Sequence, residues 1–318
     1  MKRKKAKSRS RARKNTAPVH FEHGESSLTS YAGLIPVIKF LENTLGLSLL
    51  FRNTVEHRRA DNAQYELVDG VFLVLIALIG GARSLSQCTA LWSDGVLRRM
   101  AGWVRVPDAT TLGRLFREVK ERHINGLETL IHRCRQRVWK QALRRGVSRI
   151  ATQCIQWIDV DSTVKTVFGQ QEGAEKGYNT HKRGARSYHP LLAFSADTKE
   201  ILQAWYRSGS AYTSNGIVEF MRQLLAAFPS HVRIVFRGDS GFYVSALFDL
   251  LDSLGHGYLV KVKMRNLVGL LSAQYWSPIR GKPGWEQAEF TYKGRIYVAV
   301  RQRKALDSCA RKGNSSAG

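Results

Sequence analysis

The hydrophobic pattern of the chain changes near Ser148, which restricts the chain to folds that join two unlike units. Before that residue, apolar side chains recur every three or four positions, as on one face of an amphipathic helix. After it, runs such as residues 155–164 alternate apolar and polar side chains, as in a half-buried strand. We therefore expect an all-helical unit followed by an α/β unit, for which 318 residues are sufficient.

Two consecutive helices near the end of the helical half carry many arginines. Asp108 and Thr110 are candidate caps of the first helix, and the second is expected over residues 126–145. Basic side chains opposite an apolar face occur in helix-turn-helix DNA readers and also in ordinary solvated helices. The density of arginine favours DNA contact for the region. The candidate contact residues are Arg114, Arg117, Arg133 and Arg137.

The net charge of +25 indicates a polyanionic partner. Residues 1–14 contain nine Lys or Arg and no acid, so a mobile basic arm is expected there. Subtracting these nine charges from +25 leaves +16 on the rest of the chain, so the body is itself basic. The arm is interpreted as a phosphate-contacting segment, with a generic solubilising tail as the alternative.

Cysteine usage and hydropathy indicate a soluble protein of a reducing, cytoplasmic compartment. Cys88, Cys134, Cys154 and Cys309 form no CxxC pair and signal neither a zinc cluster nor a disulfide framework. The longest apolar run, residues 71–79, is shorter than the ~20 residues that span a bilayer, and the basic start is not followed by a signal-peptide core. We expect no membrane contact.

The second half of the sequence predicts a mixed sheet covered by helices. Three strand-like runs come first: residues 155–164, 187–196 and 200–209. An amphipathic helix follows, with Thr213 or Ser214 as its cap, and then strand, helix and strand alternate. Three strands in a meander followed by αβαβ units build antiparallel and then parallel neighbours. Beyond this sheet, a hairpin turning at Lys293-Gly294 is expected.

Three aspartates mark a candidate metal site. Asp159 and Asp161 lie two residues apart in a strand, a setting that usually disfavours Asp, and project from one face about 7 Å apart. Asp239 directly follows the apolar strand IVFRG, at the end where open α/β sheets place functional groups. Carboxylates that converge there bind Mg²⁺ or Mn²⁺ and support phosphoryl transfer. The alternative is that these acids cap turns or pair with cations.

Three strings in this half resemble the DDE transposases of bacterial insertion sequences, specifically those with a group 1 DDE domain. They are WIDVDSTVKTVFGQQEGAEKGYNTHKRGARSYHPLLAF, RSGSAYTSNG and FRGDSGF, and the resemblance extends from about Ala32 to about Arg303. It implies an all-α DNA-binding region followed by an α/β catalytic domain with a ribonuclease H-like mixed sheet. It also implies a transposase that binds the terminal inverted repeats of its element, cleaves the ends and joins them to target DNA, as a homodimer when it holds two ends.

The resemblance also implies particular site residues. In the family, two Asp and one Glu hold two divalent ions, Mg²⁺ or Mn²⁺. By motif the first acid is Asp161, which stands before Ser162-Thr163, with Asp159 as the alternative, and the second is Asp239 in RGDSGF. The loop over residues 169–187 is basic with interleaved aromatic residues, so it is expected near the DNA backbone, with a solvated loop as the alternative. Its candidate contact residues are Lys176, Lys182, Arg183 and Arg186.

The third acid of the family has no match in its expected setting, Tyr-x-x-Arg-x-x-x-Glu, between Met264 and Gly318. Glu286 and Glu289 lie in a strand-like stretch and are interpreted as surface acids. We therefore expect a C-terminally truncated transposase, completed by a downstream product. The alternatives are a catalytically inactive DNA-binding fragment, acting as a repressor or a pseudogene product, and a nuclease of the same fold.

The expected organisation has five segments, in a bacterial cytoplasmic protein associated with the nucleoid. They are a basic arm at 1–25, a helical DNA-binding domain at 26–150, a ribonuclease H-like catalytic domain at 151–264, the start of a β-rich insertion at 265–304 and an unstructured tail at 305–318.

Overall fold

The structure, a computed structural model, describes residues 28–59, 63–146, 155–179 and 181–303. The chain divides into two compact units, Met1–Cys154 and Ile155–Gly318. The expected arm at 1–25, the tail at 305–318 and the pattern change near Ser148 lie outside the described residues.

The first unit is built of helices around a buried central one. In chain order they are α1 (Leu34–Lys39), a π-helical turn (Phe40–Thr44), α2 (Leu47–Thr54), α3 (Leu67–Ile79), α4 (Leu85–Leu91), α5 (Gly95–Met100), α6 (Ala109–Arg117) and α7 (Glu121–Arg144). Phe72 and Ile76 of α3 are almost fully buried, and the Trp92 indole donates a hydrogen bond to the Leu73 carbonyl at 2.9 Å. The helical expectation for this half is confirmed in its described residues.

The two arginine-rich helices have defined starts. The Asp108 carboxylate caps α6 by accepting from the Thr111 amide at 2.6 Å, whereas the Thr110 hydroxyl only donates to Asp108. Helix α7 begins at Glu121, five residues earlier than its expected start at 126, because the His123 ring accepts a hydrogen bond from the Lys120 amide at 2.8 Å. A histidine in this capping position is not among the usual sequence signals for a helix start.

The second unit contains a central sheet with two smaller sheets. Its strands are β1 (Ile155–Ser162), β2 (Lys165–Thr166), β3 (Glu175–Lys176), β4 (Arg186–Tyr188), β5 (Leu191–Ser195), β6 (Ile201–Trp205), β7 (Arg233–Gly238), β8 (Gly257–Val260), β9 (Ser277–Pro278), β10 (Trp285–Tyr292) and β11 (Arg295–Gln302). Its helices are α8 (Ile217–Ala226), a 3₁₀ turn (Ser240–Phe242), α9 (Ser245–Ser253) and α10 (Leu267–Ser272).

The central sheet is mixed, in the order β6-β5-β1-β7-β8. Strand β5 is antiparallel to both of its neighbours, β1 and β6, whereas β7 is parallel to both of its neighbours, β1 and β8. A short turn joins β5 to β6, whereas the chain between β1 and β5 contains β2, β3 and β4. Helices α8 and α9 provide the crossovers that parallel strands require. The expected mixed sheet, three antiparallel strands followed by αβαβ, is therefore confirmed.

Alternation along β1 separates a buried face from an open one. Ile158, Val160 and Phe236 are buried on one face, where each such side chain contributes about 1.5–3 kcal/mol by leaving water. Asp159 and Asp161 project from the opposite face, as predicted from their spacing.

The start of α8 differs from the sequence-based expectation. Its N-cap is Gly216, in the left-handed region at φ 74°, with no capping side chain, so the prediction of Thr213 or Ser214 as cap is wrong. The Thr213 hydroxyl instead lies 3.2 Å from the Ser162 hydroxyl.

The smaller sheets have the orders β2-β4-β3 and β11-β10-β9. The expected hairpin turn at Lys293-Gly294 is confirmed, with φ of 48° and 74°, the conformation of a two-residue type I′ turn. In the described part of the chain, no single helix meets the length and hydropathy needed to cross a bilayer. One pair bent by 52°, Leu34–Thr44 with Leu47–Thr54, meets them jointly.

Candidate active site

The register of two parallel strands brings Asp161 and Asp239 to the same edge of the central sheet. Asp159 of β1 lies opposite Arg237 of β7. This is the last pair of the register; Asp161 comes two residues later in β1, and Asp239 comes two residues after Arg237, directly beyond the end of β7. The carboxyl ends of neighbouring parallel strands are where α/β sheets hold their functional groups.

Each of these two carboxylates uses one oxygen locally. The Oδ1 atom of Asp161 accepts a hydrogen bond from the Ser162 amide at 2.8 Å, and Oδ1 of Asp239 accepts from the Gly241 amide at 2.9 Å. Both acids are exposed, and no described group hydrogen-bonds to their Oδ2 atoms. The capping contacts expected of the alternative interpretation are thus present, and they leave one oxygen of each acid available to a cation.

Asp159 differs from Asp161 and Asp239 in its hydrogen bonds. Arg237 donates two hydrogen bonds to its carboxylate, from Nε to Oδ1 at 2.5 Å and from Nη2 to Oδ2 at 2.8 Å. The Asp159 carboxylate raises the pKa of the Arg237 guanidinium, first through the hydrogen bond and then through its charge. The guanidinium also lies 5.8 Å from the Trp157 ring centroid. Both Asp159 oxygens are therefore engaged.

A chain of hydrogen bonds that sequence reasoning missed supports the end of β1. The His189 Nδ1 atom lies 2.5 Å from the Ala211 carbonyl oxygen, and its Nε2 lies 3.1 Å from the Ser162 hydroxyl. Because a carbonyl only accepts, Nδ1 carries the proton, and in the neutral ring Nε2 accepts from Ser162. The Ser162 oxygen in turn lies 3.2 Å from the Thr213 hydroxyl.

Thr213 contacts the segments that carry Asp161 and Asp239. Its hydroxyl is bound to Ser162, which follows Asp161, and its Cγ2 lies where a Cβ on Gly241 would meet it at 2.9 Å. Gly241 also donates its amide hydrogen to Asp239. The turn before α8 therefore contacts the chain next to both carboxylates.

Arg207 holds that turn in place. Its Nη1 donates to the carbonyls of Tyr212, Thr213 and Asn215, at 3.2, 3.3 and 2.7 Å, and its Nε donates to the His189 carbonyl at 3.1 Å. Burial lowers the pKa of its guanidinium, and its Nη2 is buried with no hydrogen-bond partner among the residues that the structure describes. The string RSGSAYTSNG carries this arginine, and its spacing gave no sign of the contacts.

Among the described residues, the two remaining candidate acids, Glu286 and Glu289, have other surroundings. In the part of the chain that the structure describes, no group of three or more His, Cys, Asp or Glu side chains is placed to hold a metal ion. Glu286 is buried, with one oxygen 2.8 Å from Arg301 and the other 2.8 Å from Arg303. Glu289 is exposed on the outer side of the hairpin. Asp161 and Asp239 fit part of a divalent-cation site.

The basic residues expected at the DNA backbone lie on the surface of the small sheet β2-β4-β3. Lys176 belongs to β3, and Lys182 and Arg183 lie in the loop that leads to β4, all three exposed. Arg186 of β4 is exposed as well, although its Nη1 donates to the Ala174 carbonyl at 3.0 Å.

The candidate contact residues of the first unit are also exposed. Arg114 and Arg117 lie on α6, and Arg133 lies on α7. Arg137 on α7 is partly committed to the fold, because its Nη1 donates to the Leu45 carbonyl at 2.5 Å. The structure does not distinguish among these four as DNA contacts, and their assignment stays a prediction.

One protein family matches this sequence. The family, described as Transposase DDE domain group 1, matches residues 12–301, nearly the whole chain. No curated protein matches the sequence.

The solved structures that match this chain include transposases, at low sequence identity. A piggyBac transposase synaptic complex with hairpin DNA is 14% identical, with a TM-score of 0.35, and covers 84% of this chain and 60% of its own. The Drosophila P element transposase strand transfer complex is 10% identical, with a TM-score of 0.30 and coverages of 63% and 37%. A Mos1 transposase paired-end complex is 10% identical, with a TM-score of 0.25 and coverages of 64% and 61%. The chain thus spans less than two thirds of each.

Proposed function

Since the chain belongs to the family of transposases with a group 1 DDE domain, we propose that it is an insertion-sequence transposase that binds and rearranges DNA. It would bind the terminal inverted repeats, cleave the ends and join them to target DNA. The observation that carries the proposal is the parallel pairing of β1 with β7, because Asp161 and Asp239 each come two residues after its last pair, at the carboxyl ends of the two strands. The net charge of +25 supports a DNA partner.

Asp161 and Asp239 are the acids proposed to hold the metal. The family typically uses divalent metal ions, and each acid has a carboxylate oxygen that no described group occupies. Asp159 is the weaker candidate, because Arg237 holds both of its oxygens. Mg²⁺ or Mn²⁺, as two ions in the complete enzyme, would activate the attacking oxygen and stabilise charge on the reacting phosphate.

The other residues of the unit serve to position these acids and the DNA. His189, Ser162 and Thr213 fix the chain beside both carboxylates, so the acids need little reorganisation when substrate binds. The exposed lysines and arginines of the small sheet would contact phosphates and set the register of the DNA. The order β6-β5-β1-β7-β8 supports a ribonuclease H-like catalytic domain. We further propose a homodimer when two ends are held.

The proposal is tested by separating end binding from end cleavage. Asp161→Asn and Asp239→Asn remove one charge each without changing shape, so both should abolish Mg²⁺-dependent cleavage of DNA carrying the element's ends and leave gel-shift binding nearly intact. Asp159→Asn is the matched control and should retain cleavage. Equal loss of binding and cleavage in the two acid variants would count against the site assignment.

A second candidate function is a catalytically inactive DNA-binding form that represses its own element. It is favoured by the finding that, among the described residues, no group of three or more His, Cys, Asp or Glu side chains is placed to hold a metal ion. Loss of a metal ligand commonly costs orders of magnitude in rate. This form would bind end DNA in a salt-dependent way without Mg²⁺ and show no cleavage in Mg²⁺ or Mn²⁺. Translation of the gene's DNA beyond codon 318 in all three frames would show whether a helix with a Tyr/Arg/Glu string follows.

A further inference from the structure

Four aromatic rings on the second unit are largely exposed to solvent. The exposed fractions are 75% for Phe168, 74% for Tyr178, 69% for Tyr206 and 72% for Tyr212. Aromatic side chains normally contribute to the core through their large apolar area, so rings left in water on one small region indicate a binding surface.

The four rings belong to one connected piece of structure. Tyr178 comes two residues after β3, and Tyr206 and Tyr212 lie on the segment after β6. Glu175 of β3 accepts hydrogen bonds from Ser208, at 3.1 Å, and from Ser210 on that segment. The two backbones also touch, since a Cβ on Gly177 would lie 1.7 Å from the Gly209 carbonyl oxygen.

The remaining contacts tie the outer rings to the same small sheet. Tyr206 packs against Tyr188 of β4, with ring centroids 4.6 Å apart. Phe168 follows β2, and the Lys182 ammonium lies 5.2 Å from its ring centroid. We define Phe168, Tyr178, Tyr206 and Tyr212 together as the aromatic surface.

The aromatic surface is surrounded by positive charge. Five exposed cations lie on or beside the small sheet: Lys165, Lys176, Lys182, Arg183 and Arg186. The same stretch holds two acids, Glu172 and Glu175, and Glu175 is already engaged by Ser208 and Ser210. The hydrogen bonds from these serines hold the pKa of the Glu175 carboxyl below its usual value. A polyanion with exposed flat groups complements such a surface.

Tyr212 belongs to the turn that contacts the end of β1. It directly precedes Thr213, whose hydroxyl is bound to Ser162, and its own carbonyl accepts from Arg207 at 3.2 Å. The backbone under the exposed ring is thus held in place, so the ring can bind without the entropic cost of ordering a loop.

We propose that the aromatic surface binds unpaired nucleotides of DNA by stacking on their bases, while the surrounding cations contact their phosphates. In a duplex the base faces are stacked on one another, whereas unpaired nucleotides offer both base faces to a protein ring. The inference rests on the proposed DNA-binding function and deepens it, because it specifies the form of DNA held beside Asp161 and Asp239.

The test compares two fluorescent probes, a 12-nucleotide oligo(dT) and a blunt duplex of the same length, bound to the full chain at fixed salt. Stacking on one ring is worth a factor of about 5 to 150 in affinity. Tyr212→Ala and Tyr178→Ala should each weaken oligo(dT) binding by such a factor and change duplex binding less than about twofold. Tyr212→Phe keeps the ring and should bind as the native chain does.

Tyr275→Ala is the matched control, since Tyr275 is 88% exposed but lies outside the aromatic surface, between α10 and β9. It should leave both affinities unchanged. Native oligo(dT) affinity in the Tyr212→Ala and Tyr178→Ala variants would overturn the inference, and duplex binding that persisted would leave the proposed function standing. A chain that bound neither probe would overturn both. Equal weakening of both probes would show a general loss of DNA contact and also overturn the inference.

Discussion

The hydrogen bond between His189 and Ser162 should appear as a coupling free energy between the two residues. His189 is 5% exposed and places Nε2 3.1 Å from the Ser162 hydroxyl and Nδ1 2.5 Å from the Ala211 carbonyl. His189→Ala removes both bonds and the packing of the ring, so we expect it to lower the free energy of unfolding by about 2–4 kcal/mol. Ser162→Ala removes the hydroxyl's bonds to His189 and to Thr213 at a half-buried position and should cost about 1–3 kcal/mol.

The double variant isolates the shared bond. If it is formed as described, the two losses should fall short of additive by about 0.5–1.5 kcal/mol. Hydrogen exchange of the β1 and β5 amides is the appropriate assay, because it reports the opening free energy of the second unit independently of the first. Strands β1 and β5 pair with each other in the central sheet, so their amides are hydrogen-bonded there.

A control pair guards against general destabilisation. Ser272 in α10 donates its hydroxyl to the Gly269 carbonyl and makes no described contact with His189, so His189→Ala and Ser272→Ala should add within about 0.5 kcal/mol. Additivity of the His189 and Ser162 losses as well would refute the bond, and with it the account of how the end of β1 is held.

Three further perturbations test other parts of the structure. Asp159→Asn breaks the pair with Arg237, and because both side chains are partly exposed, thermal unfolding should show a loss below about 1 kcal/mol; a much larger loss would contradict this weak-pair interpretation. Phe236→Ala empties a fully buried position in the central sheet and should lower the unfolding free energy by about 3–5 kcal/mol in denaturant titration, whereas a negligible change would contradict the packing. Arg301, with Arg303, depresses the pKa of the Glu286 carboxyl in the folded state. The ionised Glu286 should therefore contribute its full stabilisation of the fold above the ordinary Glu pKa, and this stabilisation should be lost as the pH falls through the depressed value. The Trp276 ring centroid lies 4.0 Å from the Arg301 guanidinium carbon, so Trp276 fluorescence should change as this stabilisation is lost. Glu286→Gln should abolish the pH dependence of that fluorescence.

The central sheet was predictable because its evidence is local. The alternation of apolar and polar side chains in β1 can be recognised from neighbouring residues alone. The same holds for the Lys293-Gly294 turn, which has the residues that a type I′ hairpin requires. The αβαβ order then requires parallel neighbours.

The details of the site were not predictable, because they depend on contacts between distant residues. Asp159 meets Arg237 only when β1 and β7 pair. Because Arg237 then occupies the Asp159 carboxylate, Asp161 is the better candidate metal ligand of the two. Thr213 was expected to cap α8, since a threonine before an apolar run is a common cap, but tertiary contact with Ser162 takes its hydroxyl. No pattern in the string SYHPLLAF indicated a role for His189, because its partner Ala211 lies 22 residues away in the sequence and meets it only in the folded chain.

The aromatic surface also escaped sequence analysis in part. The interleaving of Tyr178 with basic residues was visible, but the exposure of Phe168, Tyr206 and Tyr212 was not. Apolar identity alone predicts burial, and exposure can be read only after packing is known.

The central claim, that Asp161 and Asp239 form one divalent-cation site, is tested most directly by Mn²⁺ titration of the full chain followed by electron paramagnetic resonance. We predict one class of bound Mn²⁺ that Asp161→Asn and Asp239→Asn each remove and that Asp159→Asn retains. Binding that persisted unchanged in both acid variants, or that disappeared only with Asp159→Asn, would contradict the account.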